Sequence, residues 1–179
     1  MTADALVLDG LRQRYRGYRA LAERALDQMD DAAFFAWLGP QDPAAVVVKH
    51  VAGNLRSRWT DFLTSDGNAP DRNRDGEFAL TEADTRPALM AAWADAWGRL
   101  EDTLEDLGPA DLLRTVTIRS EPHTVADALL RNFAHTAYHV GQIVLLAKHA
   151  AGEDWASLSI PRGESEAFAA RMRERHEGA

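Results

Sequence analysis

The segment that most constrains the fold is a long apolar stretch between Thr124 and Gly152. Thr124 with Asp127 three positions later is typical of a capped helix start, and Gly152 is typical of a helix end. A helix that is apolar over most of its circumference is usually buried. We therefore expect a central helix here. Its apolar residues are Leu129, Leu130, Phe133, Ala137, Val140, Ile143, Val144, Leu145 and Leu146.

Three further segments predict long helices with one apolar face. Residues 5–29, 42–64 and 85–107 repeat apolar side chains every three or four positions, which is the spacing of a buried helix face. The second would begin with Asp42 as its N-cap and Pro43 in its first turn. No repeat, low-complexity tract or domain boundary is visible, so we expect one all-α domain over residues 1–179.

Two shorter segments complete the secondary structure that we predict. Residues 164–176 predict a short charged helix that packs through Phe168 and Met172. Residues 115–118 alternate in the manner of a strand, but a lone strand makes no sheet.

Composition excludes several classes of function. A net charge of −8 without a basic stripe argues against binding to nucleic acid or anionic lipid. No apolar run approaches the roughly 20 residues that span a bilayer, and the N-terminus lacks the pattern of a signal peptide. The chain has no cysteine, which excludes disulfides, thiolate ligands and a cysteine nucleophile. We expect a cytoplasmic protein whose metal ligands, if any, are imidazole and oxygen.

Two histidines stand out on the apolar helix. His135 and His139 are four residues apart, so they lie about one helical turn apart and can reach one ion. By chance, six histidines give this spacing in roughly one such chain in six, so the spacing alone is weak evidence for a metal site. The expected burial of the pair is the stronger evidence. Thr136 occupies the place where a zincin has its catalytic glutamate, so this helix supplies no such base.

The third ligand is best supplied by His50. It lies on a polar stripe beside the apolar face of the second helix, together with Asn54, either Ser57 or Arg58, and Asp61. Such a stripe faces solvent or lines a cavity. His123 competes for the role, but helical rise places it about 18 Å from His135. Three histidines that leave one coordination position open make a site of the catalytic type.

The long connection over residues 65–83 offers a different metal site. Its residues fit a calcium-loop pattern, although Gly67 and Pro70 interrupt the helix that should lead into such a loop. Calcium binding is therefore the less favoured alternative, against a polar crossover loop. The matching positions are Asp71, Asn73, Asp75, Gly76 and Glu82.

Two motifs resemble the DinB/YfiT-like superfamily of metalloenzymes. They are His50 with the segment 54–59, Asn-Leu-Arg-Ser-Arg-Trp, and the pattern His135-x-x-x-His139-x-x-Gln142. The resemblance extends to residues 72–78 and 159–163, covers most of the chain and is closest to a YfiT-like branch. It implies a four-helix bundle with long crossovers in up-down-down-up order. It also implies a divalent metal held by His50, His135 and His139, and a homodimer.

The resemblance further implies an activity. Members with known activity are S-transferases and isomerases that use mycothiol or bacillithiol, and others are called hydrolases by analogy. An open cation, with zinc or nickel favoured, would lower the pKa of a water for hydrolysis or stabilise a thiolate for transfer. The absence of cysteine suits transfer, because a low-molecular-weight thiol would bring the nucleophile.

The same motifs indicate residues that would contact a small-molecule substrate. Asn54 and Arg58 follow His50 on its stripe, Arg74 lies in the crossover, and Gln142 follows His139 by one turn. No general base is evident. A non-catalytic metal-binding or ligand-binding stress or sensor bundle remains the alternative function. Trp93 and Trp97 on the third predicted helix are compatible with the interface of a dimer.

Overall fold

The computed structural model describes residues 2–177, so Met1, Gly178 and Ala179 of the expected 1–179 domain lie outside the described residues. The chain is 66% helical, with six α-helices and one small two-stranded sheet among the described residues. No helix between residues 2 and 177 is both long and apolar enough to cross a membrane. The helices are α1 (Ala3–Leu26), α2 (Asp31–Phe35), α3 (Ala44–Trp59), α4 (Arg86–Asp106), α5 (Val125–Ala151) and α6 (Ser165–His176).

All four predicted long helices are present, with corrections at the ends of α3. This helix begins at Ala44 after Pro43, which makes no side-chain capping bond, so the prediction of Asp42 as N-cap was wrong. It ends at Trp59 rather than near residue 64, because Thr60 is extended and Asp61 adopts a left-handed backbone with φ of 50°. The predicted start of α5 is confirmed, since the Thr124 side chain accepts the Asp127 N–H.

The central helix is α3 rather than α5. Thirteen of its sixteen residues are buried, and it packs against both α4 and α5, while α1 packs on α5. The prediction that α5 is the central, buried helix was wrong, because Tyr138 and Leu145 are 64% and 65% exposed on its outer face. Apolar composition alone does not reveal which helix the others cover.

The structure does not support an interface role for Trp93 and Trp97 or the predicted packing of the short charged helix through Phe168. Trp93 and Trp97 have no exposed surface and lie in the hydrophobic core, where the Trp97 ring meets Tyr15 edge to face at 6.4 Å. They therefore offer nothing to an interface. Helix α6 buries no residue, and Phe168 is exposed rather than packed.

The run at residues 115–118 is paired, contrary to the expectation of a lone strand. Strand β1 (Thr115–Ile118) pairs antiparallel with β2 (Glu121–Thr124). The turn residues Arg119 and Ser120 are both left-handed, with φ of 53° and 63°, a conformation that normally favours Gly or Asn. Asp66 stabilises this turn, because its carboxylate accepts both backbone N–H groups at 2.8 and 2.7 Å.

We expect Asp66→Ala to lower the free energy of unfolding by about 1–2 kcal/mol, because two N–H groups in a strained turn lose a charged acceptor. The N–H bond from Ser120, together with those from Arg119 and Asn68, lowers the pKa of Asp66. Its contribution is therefore complete above the unfolded pKa of about 3.9 and is lost as pH falls through the lower folded pKa. Urea unfolding of wild type and variant at several pH values measures the difference, and Asp75→Ala, at a carboxylate that is 98% exposed, is the control. Equal losses in the two variants at neutral pH would contradict this role.

Candidate metal centre

Three imidazoles from two helices converge at one point. His50 comes from α3, and His135 and His139 lie one turn apart on α5. The Nε2 atom of His135 lies 3.3 Å from that of His50 and 3.2 Å from that of His139. The three donor atoms of this cluster all lie within 4.8 Å of one another, and within residues 2–177 it is the one group of three or more His, Asp or Glu side chains placed to hold a metal ion. The structure thus brings together the three predicted ligands.

Hydrogen bonds at the opposite ring nitrogens orient two of the imidazoles. The Nδ1 atom of His50 donates to Glu77 at 2.8 Å, and that of His139 donates to the Gln142 side-chain oxygen at 2.7 Å. A neutral imidazole that carries its proton on Nδ1 presents a lone pair on Nε2. Both rings therefore present lone pairs to the point where the three Nε2 atoms meet.

The geometry and protonation of the cluster fit a metal ion. Tetrahedral zinc bonds to histidine at about 2.0–2.1 Å, which places ligand nitrogens about 3.3 Å apart. Two of the observed Nε2 separations, 3.2 and 3.3 Å, match this value, and the three donor atoms all lie within 4.8 Å of one another. With two rings protonated on Nδ1, the three Nε2 atoms share at most one proton. A cation that accepts all three lone pairs removes the repulsion among them.

Burial keeps the α5 histidines neutral. Burial, followed by the nearby charges of His139 and His50, lowers the pKa of His135 to about 4. Burial also lowers the pKa of His139, against the opposing hydrogen bond to Gln142. Neutral imidazole is the form that binds metals. Both rings are half-buried rather than enclosed, so the cluster is reached from the surface.

The crossover between α3 and α4 supplies the groups that hold His50. A 3₁₀ turn, Asp75–Phe78, places the Glu77 carboxylate on α3, and Arg72 binds that carboxylate through two bonds of 2.8 and 2.9 Å. Burial opposes ionisation of Glu77, but the bonds from His50 and Arg72 lower its pKa. The Phe78 ring lies 4.6 Å from that of His50. The long connection is thus part of the site.

A glycine makes room for this carboxylate. A Cβ atom at position 53 on α3 would lie 2.7 Å from Cδ of Glu77, closer than real contacts allow. Sequence reasoning did not identify Glu77, Arg72 or Gly53 as site residues. The family-like segment 72–78 pointed towards Arg72 and Glu77, although their role could not be assigned without their contacts, and no sequence signal pointed to Gly53.

Two cavities reach the cluster from different sides. The cationic cavity, of about 280 Å³, has His50 and His135 on its wall together with five arginines, Arg58, Arg72, Arg74, Arg119 and Arg131. The mixed cavity, of about 430 Å³, has His50 and His139 on its wall. Its apolar wall residues include Val46, Val47, Phe78, Tyr138, Leu145 and Leu146. His50 is the ligand common to both.

All four residues predicted to contact substrate lie at these cavities. Asn54, Arg58 and Arg74 line the cationic cavity, and Gln142 lines the mixed cavity. For His50, Asn54 and Arg58 the polar stripe of α3 faces a cavity, whereas Asp61 lies beyond the end of α3 and is exposed. Asn54 and Arg58 are 8% and 6% exposed.

His123 and the calcium-loop residues do not belong to the three-histidine cluster. His123 bonds to Asp127 at 2.6 Å outside the cluster. In the loop, Asp71 pairs with Arg56, and the Asn73 side-chain oxygen accepts the Gly76 N–H at 3.0 Å. Asp75 is 98% exposed. Across the described part of the chain these acidic residues do not converge on a point, so the structure gives no support to the calcium alternative.

Fold and site together define the class as a mostly helical protein with a three-histidine cluster suited to a metal ion. A family model described as "Protein of unknown function (DUF1572)" matches residues 3–164. The chain therefore belongs to the DUF1572 family. No curated protein and no solved structure matches the chain.

We expect natively purified protein to carry, or to take up, about one equivalent of zinc or nickel, and His50→Ala, His135→Ala and His139→Ala each to lose it. Each substitution removes one of three ligands, and two imidazoles bind too weakly to retain the ion. Elemental analysis and titration calorimetry measure the stoichiometry. His149→Ala, at an exposed histidine of the same helix, should retain the metal. A wild-type protein that is metal-free and takes up none would contradict the assignment.

The contribution of Glu77 to metal binding through His50 can be tested separately. We expect Glu77→Gln to weaken metal binding about 10–100-fold, because the ionised acceptor that orients His50 is lost. Gly53→Ala should act in the same direction by displacing that carboxylate. Competition with a chromogenic chelator measures the affinities. Glu105→Gln and Gly17→Ala, at exposed positions away from the cluster, are the matched controls, and equal effects in variants and controls would rule out this role.

Proposed function

We propose that this protein is a metal-dependent enzyme, and that it transfers a group to the sulfur of a low-molecular-weight thiol. The observation that carries the proposal is the position of the histidine cluster between two separate cavities. A transfer reaction brings two substrates to one reacting centre, and each cavity offers room for one of them. Hydrolysis needs only one such cavity besides access for water.

The fold-level part of the proposal is that the helices form a DinB/YfiT-like four-helix bundle in up-down-down-up order. Two contacts at different levels along each pair of helices support this order: α1 and α4 run antiparallel, α3 and α4 run parallel, and α3 and α5 run antiparallel. The contacts that indicate these directions are Arg16–Glu105, Arg19–Glu101, Lys49–Asp84, Trp59–Thr103, His50–His139 and Asn54–Asn132.

His50, His135 and His139 would hold the ion, with zinc or nickel as the candidates that suit a set of imidazoles. A divalent ion there supplies a Lewis acid that lowers the pKa of a thiol or a water at its open position. Glu77 and Gln142 accept hydrogen bonds from Nδ1 of His50 and of His139, respectively. These bonds fix the two rings before a substrate binds.

The reaction that fits this arrangement is a nucleophilic displacement. The sulfur of the thiol forms a bond to an electrophilic carbon, the bond from that carbon to its leaving group breaks, and the thiol proton passes to solvent. The chain lacks cysteine, so the cosubstrate supplies the sulfur. Glu77 is bound to both His50 and Arg72 and is therefore poorly placed as a general base for hydrolysis.

A homodimer is also part of the proposal. Helix α5 exposes Leu130, Tyr138 and Leu145, and the last two line the mixed cavity. A second copy that covers this face would bury apolar surface and narrow that cavity. The acidic net charge suits a small-molecule substrate better than nucleic acid or a membrane surface.

We expect the metal-loaded protein to consume a thiol and an electrophile, such as a chloro-dinitroarene, in equal amounts. Thiol loss and adduct formation, followed by absorbance and mass spectrometry over a panel of thiols, measure the reaction. The His135→Ala variant should lose at least about 100-fold in rate, since it loses the ion, and His149→Ala should retain the rate.

Two outcomes would overturn the proposed transfer. Turnover of esters, amides or lactones without thiol consumption would replace it with hydrolysis. Silence across both panels by a protein that binds metal would favour the non-catalytic stress or sensor bundle.

A further inference from the structure

The cationic cavity concentrates positive charge in an acidic protein. The chain has a net charge of −8, yet five arginines line this cavity and no aspartate or glutamate does. Positive side chains on the surface of an acidic protein are normally interspersed with carboxylates, which offset their repulsion. Side chains of one charge that line a concave site concentrate their electric field on a ligand of the opposite charge.

Arg58 is the only one of these five arginines that is buried as a whole residue. It is 6% exposed, and its Nη1 atom is buried without a hydrogen-bond partner among the residues described. Burial, followed by the charges of Arg131, Arg72 and Arg119, lowers the pKa of Arg58 to about 10, so the guanidinium is still charged at neutral pH. Burying an unpaired cation is costly, which indicates that a function maintains it.

Carboxylates within the described chain do not neutralise this group of arginines. Arg58, Arg119 and Arg131 form no ion pair with an acidic side chain in residues 2–177, and only Arg72 is bound closely, by Glu77. Arg74 lies 3.9 Å from an exposed aspartate. A purely structural cluster would be expected to include its own counter-charges.

The nearest carboxylate is already occupied. Asp66 attracts Arg58, but its oxygens accept backbone N–H groups from Asn68, Arg119 and Ser120. Its main structural effect is to hold the hairpin turn from which Arg119 reaches the cavity. Asp66 therefore positions a cationic wall residue more than it neutralises the cavity.

A neutral donor completes the wall. The side-chain oxygen of Asn54 accepts from Asn132 at 2.9 Å, which leaves the Asn54 NH₂ group available towards the cavity that it lines. Guanidinium and amide N–H groups together match the oxygens of a carboxylate or a phosphate. With a volume of about 280 Å³, the cavity suits a small head group.

We propose that the cationic cavity binds the oxyanion group, a carboxylate or a phosphate, of one substrate, with Arg58 as its innermost contact. The remainder of that substrate reaches the histidine cluster past His135, which lies on the same wall. That the bound molecule is a substrate rests on the proposed function. Binding of an anion to the cavity can be measured without catalysis. It assigns an anionic class of substrate to one side of the cluster.

The test is titration calorimetry with inorganic phosphate, sulfate and acetate at constant ionic strength, with chloride as the reference anion. We expect phosphate or acetate to bind to wild type, and Arg58→Gln and Arg131→Gln each to weaken that binding at least about 10-fold, as for loss of a charged hydrogen bond. Arg131 is exposed on α5, so its variant should fold even if Arg58→Gln does not. Arg14→Gln, at an exposed arginine of α1, removes the same charge and should leave binding unchanged.

The anion preference identifies the chemistry of the head group. Tighter binding of phosphate and sulfate than of acetate indicates a phosphate or sulfate ester, and the reverse order indicates a carboxylate. No binding beyond that of chloride, or equal losses in Arg131→Gln and Arg14→Gln, would overturn the proposal.

A metal-free arm separates this inference from the proposed function. His139→Ala removes a ligand but no wall residue of the cationic cavity, so phosphate binding should persist in it. If binding disappears with the metal, phosphate is a ligand of the ion and the proposal is wrong. If binding persists but no thiol transfer occurs in wild type, the anion site is supported and the proposed reaction fails. If transfer occurs with the same KM in Arg131→Gln and is not inhibited by phosphate, the reaction stands and the anion site fails.

Discussion

The site depends on a buried chain of charge-assisted hydrogen bonds from Arg72 through Glu77 to His50. Glu77 is 6% exposed, and an unpaired carboxylate at such depth would be unstable. Its two partners keep it ionised and hold the His50 ring in one orientation. The same bonds hold the crossover against α3. The geometry of the histidine cluster therefore depends on the conformation of that long connection.

A second buried network sets the positions of the helices that carry the ligands. Asn132 on α5 donates to Asn54 on α3, and its side-chain oxygen lies 3.3 Å from the indole nitrogen of Trp59 and 3.2 Å from the Tyr15 hydroxyl of α1. A buried amide with several partners is satisfied in only one alignment of its helices. Because Asn132 lies three residues before His135, the same alignment places His135 opposite His50.

The two cavities give the cluster an asymmetric environment. One side offers guanidinium groups and amides, and the other offers aliphatic and aromatic surface together with the polar side chains of Gln41, Asp42 and Gln142. An ion held between them would face the cationic cavity beside His135 and the mixed cavity beside His139. In the proposed function, one cavity would recognise a charged group, the other would accommodate the remaining substrate, and the reacting centre would lie between them.

The sequence by itself determined the four long helices, the spacing of His135 and His139, and the polar stripe that carries His50, because helical periodicity is local information. It did not determine Glu77 as the partner of His50 or the hairpin that carries Arg119. Glu77 is 27 residues from His50, and Asp66 is 53 residues from Arg119, so neither contact has a local signature. The choice of α3 over α5 as the covered helix was also decided by the tertiary structure, since both are rich in apolar residues. Only the packing of distant segments shows which polar groups are buried together and which apolar face is left in solvent.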